Sequence, residues 1–323
     1  MPRPELGYAL SSEEHAPADL VRYAVLAEER GFSYALISDH FHPWTDRQGQ
    51  SPFVWAVIGA IAEATESLRL GTGVTCPTMR THPAIIAQAS ATAAALMPGR
   101  FFLGVGTGEN LNEHILGDRW PEGAVRVEML AEAIDVIRLL WEGGYQSHHG
   151  RYYTVEEARL YTLPDEPPDL MVAAGKPEAA KLAGEKGDGF IGTAPDAELL
   201  AEFDGAGGAG KPRIGQVTVC WAEDEKGARK TALEWWPNAA VPGDLNQELA
   251  LPRHFEQASE AVTEDDVAEK VVCGPDADAH LAAIEEFAEA GYDHVYIHQV
   301  GPDQEGFLDF YAREVIGERA ATR

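Results

Sequence analysis

The sequence predicts an α/β protein, a (β/α)8 TIM barrel forming one domain over residues 1–323, with insertion segments at its C-terminal face. Three observations point there. Short apolar runs alternate with amphipathic helical stretches along the chain, and eight of the runs read as strands. "LAEERGFSYALIS" near the start is echoed by "FAEAGYDHVYIHQ" near the end, each a helix closed by glycine, an aromatic residue and then a strand. The length of 323 residues suits a single barrel, and repetition of one βα unit over that length favours a closed parallel barrel over an open sheet.

The elements follow in order. Residues 6–10 (LGYAL) read as a strand and residues 11–16 as a loop. A helix from Pro17 puts Leu20, Ala24 and Ala27 on one face, with Arg22, Glu29 and Arg30 elsewhere, and closes at Gly31. The second strand is 34–38. A helix over 51–65 precedes the strand 68–72, and a helix over 84–95 precedes 101–105. Later strands are expected at 170–173, 189–192, 214–220 and 294–297. Two stretches break the rhythm: residues 143–168 read as a hairpin excursion, and 235–262 as a proline-punctuated insertion. Loops of that length usually serve as lids or interfaces. "GAGGAG" at 205–210 follows no strand and reads as a flexible linker.

Composition narrows the function classes. No apolar run approaches the roughly 18 to 20 residues that span a bilayer, and the N-terminal stretch lacks the apolar core of a secretory signal. Cys76, Cys220 and Cys273 are odd in number and widely spaced, which reads as reduced thiols and, with the missing signal, as a cytoplasmic protein. The 25 basic against 53 acidic residues give a net charge of −28, which repels phosphate backbones and anionic lipid. The expected partner is a small-molecule substrate, with neither nucleic acid nor membrane. The acidity fits a high-salt host and a solubility habit equally.

In a parallel barrel, chemistry gathers on the loops leaving the C-terminal strand ends. The second strand ends in "SDHFHPW", delivering Asp39, His40 and Trp44; the third ends in "TGVTCPT" and the fourth in "GTGEN", with Asn112 just beyond. A wholly apolar strand thus ends in a carboxylate, an imidazole and an indole, and Glu109 holds the equivalent place two strands later. A histidine and a glutamate around one pocket can divide base and acid work. Spacing alone also admits a packed or capping His40, an N-cap Asp39 and a Trp44 lying over apolar surface.

Two other chemistries stay open at this point. His40-Phe41-His42 has the alternation of a two-histidine metal site, so a barrel metallohydrolase using His40 and His42 is an alternative. It would need further ligands, and the strand ends after Val105, Ala173 and Ile191 supply neither histidine nor cysteine. "GVGTGEN" lacks the third glycine of a dinucleotide fingerprint, which disfavours a Rossmann site. Residues 173–177, "AAGKP", place amides and the Lys176 ammonium at a helix start, where phosphate is stabilised.

At "SDHFHPW", "LGTGVTCPT", "HPAIIAQASAT", "RFFLGVGTGENLNEH", "GDGFIGT" and "IHQVGPDQ", in order and in register, the sequence resembles the coenzyme F420-dependent branch of the luciferase-like oxidoreductases, in particular its glucose-6-phosphate dehydrogenase-like group. The resemblance runs from Leu6 to about Val315. It implies an F420-dependent dehydrogenase or reductase, a homodimer, whose deazaflavin lies across the strand ends. Its cofactor contacts would fall on Asp39, Gly73, Val74, Cys76, Gly108, Asn112, Ala174, Gly175, Lys176 and Thr193, with a non-proline cis peptide at Gly73–Val74. It implies His40 as general base on a substrate hydroxyl, Trp44 as stabiliser of the charged intermediate, and Glu109 as proton donor to the reduced ring. An FMN-dependent monooxygenase of the same superfamily is the other alternative. The family's sugar-phosphate clamp of two lysines and an arginine is largely missing: the segment after Thr193 reads Ala194-Pro195-Asp196, a second position is Gln257, and only Lys270 keeps a charge. A phosphate dianion needs several charge-assisted bonds, each worth roughly 1.5 to 3 kcal/mol. A neutral alcohol or sugar hydroxyl is the expected substrate, or a carbonyl or activated alkene if the reaction runs as a reduction.

Overall fold

Tyr34 and Phe102 fill the middle of the structure because the strands beside them carry glycine. A Cβ on Gly7 would stand 2.4 Å from the Tyr34 ring, and one on Gly71 would stand 2.1 Å from the Phe102 ring. Large rings over glycines pack the inside of a barrel too narrow for large side chains on every strand. Leu36, Met171, Ile191, Ile214 and Tyr296 complete this inner core.

The computed structural model describes residues 3–317. Its strands are β1 (Glu5–Leu10), β2 (Tyr34–Ile37), β3 (Arg69–Thr72), β4 (Phe101–Val105), β5 (Gln146–His149), β6 (Thr154–Ala158), β7 (Leu170–Ala173), β8 (Gly189–Gly192), β9 (Arg213–Cys220), β10 (Val272–Cys273) and β11 (His294–Gln299). The order β9-β11-β1-β2-β3-β4-β7-β8 closes through a further β8–β9 pairing, so eight parallel strands form a barrel. All eight expected strands are present, each within two residues of its expected ends. Helices such as Pro17–Glu29, Val54–Ala64 and Pro83–Leu96 cover the outside. The first buries Leu20, Tyr23, Ala24 and Ala27. A fully buried leucine contributes about 1.5 to 3 kcal/mol, so the apolar stripe seats each helix.

The excursion at 143–168 holds the antiparallel β5–β6 hairpin, as its sequence predicts. The insertion at 235–262 folds into short helical segments, Pro237–Ala240, Leu245–Glu248 and Pro252–Ala258. Two features differ from the sequence expectation. The two-residue β10 extends the sheet on β9, too short to leave a periodic signature. "GAGGAG" is not a linker: helix Ala197–Phe203 passes into a wide turn, Asp204–Gly208, kinked at Gly207, where φ is 101°. Glycine is needed there for close approach, since a Cβ on Gly208 would meet the Phe203 ring at 2.6 Å. Among the described residues no helix is long and apolar enough to cross a membrane. The first two and last six residues of the expected 1–323 domain lie outside the described ones.

Candidate active site

β2 is buried along its whole length and delivers Asp39 and His40 directly into the C-terminal mouth. His40 Nδ1 lies 3.2 Å from the His42 carbonyl and Nε2 lies 3.2 Å from Glu13 Oε1, so each ring nitrogen faces a group that only accepts and favours a proton on it. Glu13 comes from the loop after β1 and is buried. Burial pushes its carboxyl up, but His40, the Ser38 hydroxyl at 2.5 Å, a backbone N–H and His298 together hold it below the usual carboxylate range. A proton arriving on Nε2 therefore meets an ionised carboxylate.

The Trp44 indole stands over this pair, its ring centroid 5.0 Å from that of His40. Phe255 of the insertion packs edge-on against it at 5.2 Å, and the Trp44 amide donates to Gln48 Oε1 at 2.8 Å. A second carboxylate–imidazole pair lies beside the first. Glu14 Oε2 is 3.1 Å from His298 Nε2, and Trp236 of the insertion packs edge-on to that imidazole at 4.4 Å.

Beneath the mouth, one guanidinium ties three strand ends together. Arg80 Nη2 donates to Asp39 Oδ1 at 2.9 Å and to the Asp39 carbonyl at 3.1 Å, while the Arg80 amide donates to Glu113 Oε2 at 2.8 Å. Thr75 Oγ1 donates to Asp39 Oδ2 at 2.8 Å. Glu113 is 1% exposed, and its carboxyl is pushed up to about 7, first by burial and further by Glu109 and Asp39, against the pull of Arg80. Gly108 has φ 76°, and a Cβ there would stand 2.6 Å from Cys76 Sγ and 3.0 Å from Glu113 Cγ, so glycine lets this turn close. Glu109 follows as the extended N-cap of helix Asn110–Glu113. Asn112 Oδ1 accepts from the Phe41 and His42 amides at 2.9 and 3.2 Å, and its Nδ2 is 3.4 Å from Glu109 Oε2. Asn112 thus links the histidine loop to the glutamate.

The Gly73–Val74 peptide is cis. Val74 and Ala173 pack on the inner core, and a Cβ on Gly106 would come within 2.8 Å of Val74. Nothing lies within 4 Å of a Cβ built on Gly175. The β3, β4 and β7 side of the mouth thus carries the small residues Val74, Gly106, Ala173 and Gly175, while the loops after β1 and β2 supply Glu13 and His40.

His40, Trp44, Glu13 and, through Asn112, Glu109 form one contiguous group. Asp39, Cys76 and Asn112 are buried, their polar atoms already partnered, and sit under the pocket surface. Ala174 is buried, whereas Gly175, Lys176 and Thr193 are exposed on the rim. Lys176 Nζ is engaged by Asp244 at 2.9 Å. Gln257 and Lys270 are exposed, and no hydrogen bond or ion pair joins either to the His40 group among the described residues. The two imidazoles of "HFH" part company: His42 Nδ1 faces the Leu111 carbonyl at 2.8 Å and its ring stacks on His114 at 5.7 Å. Among the described residues no group of three or more histidine, cysteine, aspartate or glutamate side chains is arranged to hold a metal ion. Sequence reasoning missed Glu13 and Glu14, which lie in a segment read only as a loop. The available signal was that this loop leaves a barrel strand at its C-terminal end.

The sequence profile of the luciferase-like monooxygenases matches residues 3–294. Relatives described as F420-dependent glucose-6-phosphate dehydrogenases include one from Nocardia farcinica (strain IFM 10152), 37% identical with 96% of each chain covered. Another, from Kribbella flavida (strain DSM 17836 / JCM 10339 / NBRC 14399), is 38% identical over 96% of this chain and 97% of its own. Among solved structures, an F420-dependent secondary alcohol dehydrogenase in complex with an F420-acetone adduct superposes with a TM-score of 0.90 at 31% identity, covering 97% of this chain and 98% of that one. A coenzyme F420-dependent tetrahydromethanopterin reductase from Methanopyrus kandleri shares the fold, with a TM-score of 0.78 at 22% identity and 98% and 99% coverage. A closed barrel, a buried carboxylate–imidazole pair under an indole, and likeness along nearly the whole chain converge: the protein belongs to the luciferase-like monooxygenase family.

Proposed function

We propose that the protein is a coenzyme F420-dependent oxidoreductase that moves a hydride between a CH–OH carbon of a small neutral substrate, an alcohol or sugar, and the deazaflavin. The observation that carries this reading is His40 Nε2 backed at 3.2 Å by the ionised Glu13 under the Trp44 indole. The small residues Val74, Gly106 and Ala173, open toward Gly175, fit a planar ring, with Lys176 and Thr193 on the rim beyond them. When bound, the cofactor supplies the carbon that accepts or returns the hydride. His40 takes the hydroxyl proton as the C–H bond is given up, and Glu13, beside Nε2, stabilises the imidazolium formed. Trp44 lies against that charge and excludes water from it. Glu109, steadied by Asn112, stands as the acid on the ring side.

A neutral substrate is favoured by the charges at the mouth. Arg47, Arg126 and Lys176 are engaged by Glu234, Glu248 and Asp244 of the helix Glu225–Trp235 and the insertion. The positions of the family's phosphate clamp carry Asp196 and an exposed Gln257, with Lys270 alone basic. The test is a binding titration with F420, FMN and NADP, followed by turnover on secondary alcohols, glucose and glucose 6-phosphate with whichever binds. Tight binding of FMN in place of F420, or turnover confined to the sugar phosphate, would overturn the reading.

The same reading includes a cytoplasmic homodimer. Its support is the free state of the three cysteines and an apolar groove of about 410 Å³ between helices Val54–Ala64 and Pro83–Leu96, flanked by the exposed Phe53, Ile85 and Leu96. A second copy is the occupant this surface suits, and light scattering reads the outcome directly.

A further inference from the structure

The loop after β1 carries two consecutive carboxylates and turns them to opposite sides. Glu13 faces His40 beyond the end of β2, whereas Glu14 faces His298 near the end of β11, its Oε2 3.1 Å from His298 Nε2. β1 pairs with both β2 and β11, so two carboxylate–imidazole pairs flank one strand. Strand alternation sets His298 inward, two residues beyond Tyr296 of the inner core.

The Glu14 pair is enclosed on all sides: the carboxylate side chain is 0% exposed and the imidazole 4%. Glu14 Oε1 also accepts the Gly301 amide at 2.9 Å. Gln304 braces that turn, its Nε2 donating to the Gly301 carbonyl at 2.7 Å and its Oε1 accepting from the Tyr8 hydroxyl of β1 at 2.5 Å. His298 Nδ1 is buried and has no hydrogen-bond partner among the described residues, so Glu14 is the polar contact that orients this ring, with Trp236 packed against its face or edge at 4.4 Å.

Stability alone does not account for such a pair, because apolar side chains of similar volume often fill the same space at no loss of stability. What the pair adds is one fixed orientation of the loop, and the next residue back is Glu13. The other polar contacts of the Glu13 carboxylate come from the loop itself and from β2: the Ser11 hydroxyl donates at 3.1 Å and the Ser38 hydroxyl at 2.5 Å, and Ser38 Oγ accepts from the Ser12 amide at 2.9 Å. Glu14 supplies the anchor on the β11 side.

We propose that Glu14 and His298 are positioning residues: they bolt the loop after β1 to the end of β11 and thereby hold Glu13 against His40. This rests on the reading of His40 and Glu13 as the base and its counter-charge in a hydride-transfer site, and the test separates the two. The Glu14→Leu/His298→Phe double variant removes the pair by an apolar exchange of the kind that commonly leaves a protein folded. With F420 and a secondary alcohol its kcat is expected to fall at least about tenfold, with KM and F420 affinity within about threefold, since a misplacement of about 1 Å can cost on the order of 100-fold. Glu14→Gln keeps the side-chain length and an oxygen for the Gly301 amide, and is expected to retain most of the wild-type kcat. The nitrogen NMR signal of His40 Nε2, assigned with His40→Ala, reads the contact with Glu13 without turnover. It should move in the double variant and stay near its wild-type position in Glu14→Gln. Wild-type kcat and an unmoved His40 signal in the folded double variant, or a loss in Glu14→Gln as large as in the double variant, would overturn the proposal. Should the double variant fail to fold, Glu14→Asp, one methylene short of reaching both His298 and Gly301, carries the comparison with the same outcomes. Absence of hydride transfer in the wild type would sink the reading of the site, and the His40 signal would still decide the positioning role.

Discussion

His40 Nε2 and Glu13 Oε1 lie 3.2 Å apart, although the two residues leave different strands and are separated by a whole helix. Their meeting sets a counter-charge beside the histidine proposed as the base. It also depends on register: β1 pairs with β2 through Leu10 and Ile37, so both loops open at the same height.

Replacing His40 with alanine is expected to lower turnover by at least about 100-fold while F420 affinity stays within a few-fold, because a general base contributes on that scale. Glu13→Gln keeps the imidazole and removes the charge behind it, so turnover should fall by at least about tenfold. Steady-state kinetics with fluorescence titration of F420 decides; wild-type turnover in either variant removes that residue from the mechanism.

Glu109→Gln is expected to slow the proton step at the ring side and to change the shape of the pH–rate profile. An unchanged profile at unchanged kcat would assign the acid role elsewhere.

Glu113 makes stability depend on pH. Its folded carboxyl titrates at about 7, against about 4.3 in an unfolded chain. Between those values the folded state holds a proton that the unfolded state releases. Stability therefore falls as pH rises through this window, by an amount on the order of 3 kcal/mol. Glu113→Gln should flatten the slope between pH 5 and 8 in urea denaturation, and a slope equal to wild type would contradict the assignment.

Arg80→Met leaves Asp39 and Glu113 buried without their cation. Breaking a buried pair costs about 3 to 5 kcal/mol, so the urea midpoint should drop markedly, and a shift under 1 kcal/mol would show that the two carboxyls find other partners.

Gly71→Ala forces a Cβ to within 2.1 Å of the Phe102 ring at the centre of the barrel. Overpacking of this kind typically costs about 1 to 3 kcal/mol, and thermal unfolding at neutral pH reads it. Restoration by Phe102→Leu in the same chain would tie the loss to that contact.

Much of this protein was legible along the chain. Apolar runs such as 34–38 and 101–105, set between helices with a 3.6-residue apolar stripe, specify a parallel barrel because each signal is local and repeated. The barrel rule then points to the strand ends, and so to His40, Trp44 and Glu109. What lay beyond reach was any feature made by residues distant in sequence. Glu13 and Glu14 look like ordinary loop acids until β1 and β2 set them beside His40 and His298. Arg80 sits in an unremarkable loop until folding brings Asp39 and Glu113 to it. The insertion's grip on Lys176 and Arg126 joins residues 68 and 122 positions apart. Secondary structure follows from short-range sterics and hydrophobic periodicity, which the sequence by itself determines. Charge pairing and burial depend on which strand ends share a mouth, and only the closed tertiary structure decides that.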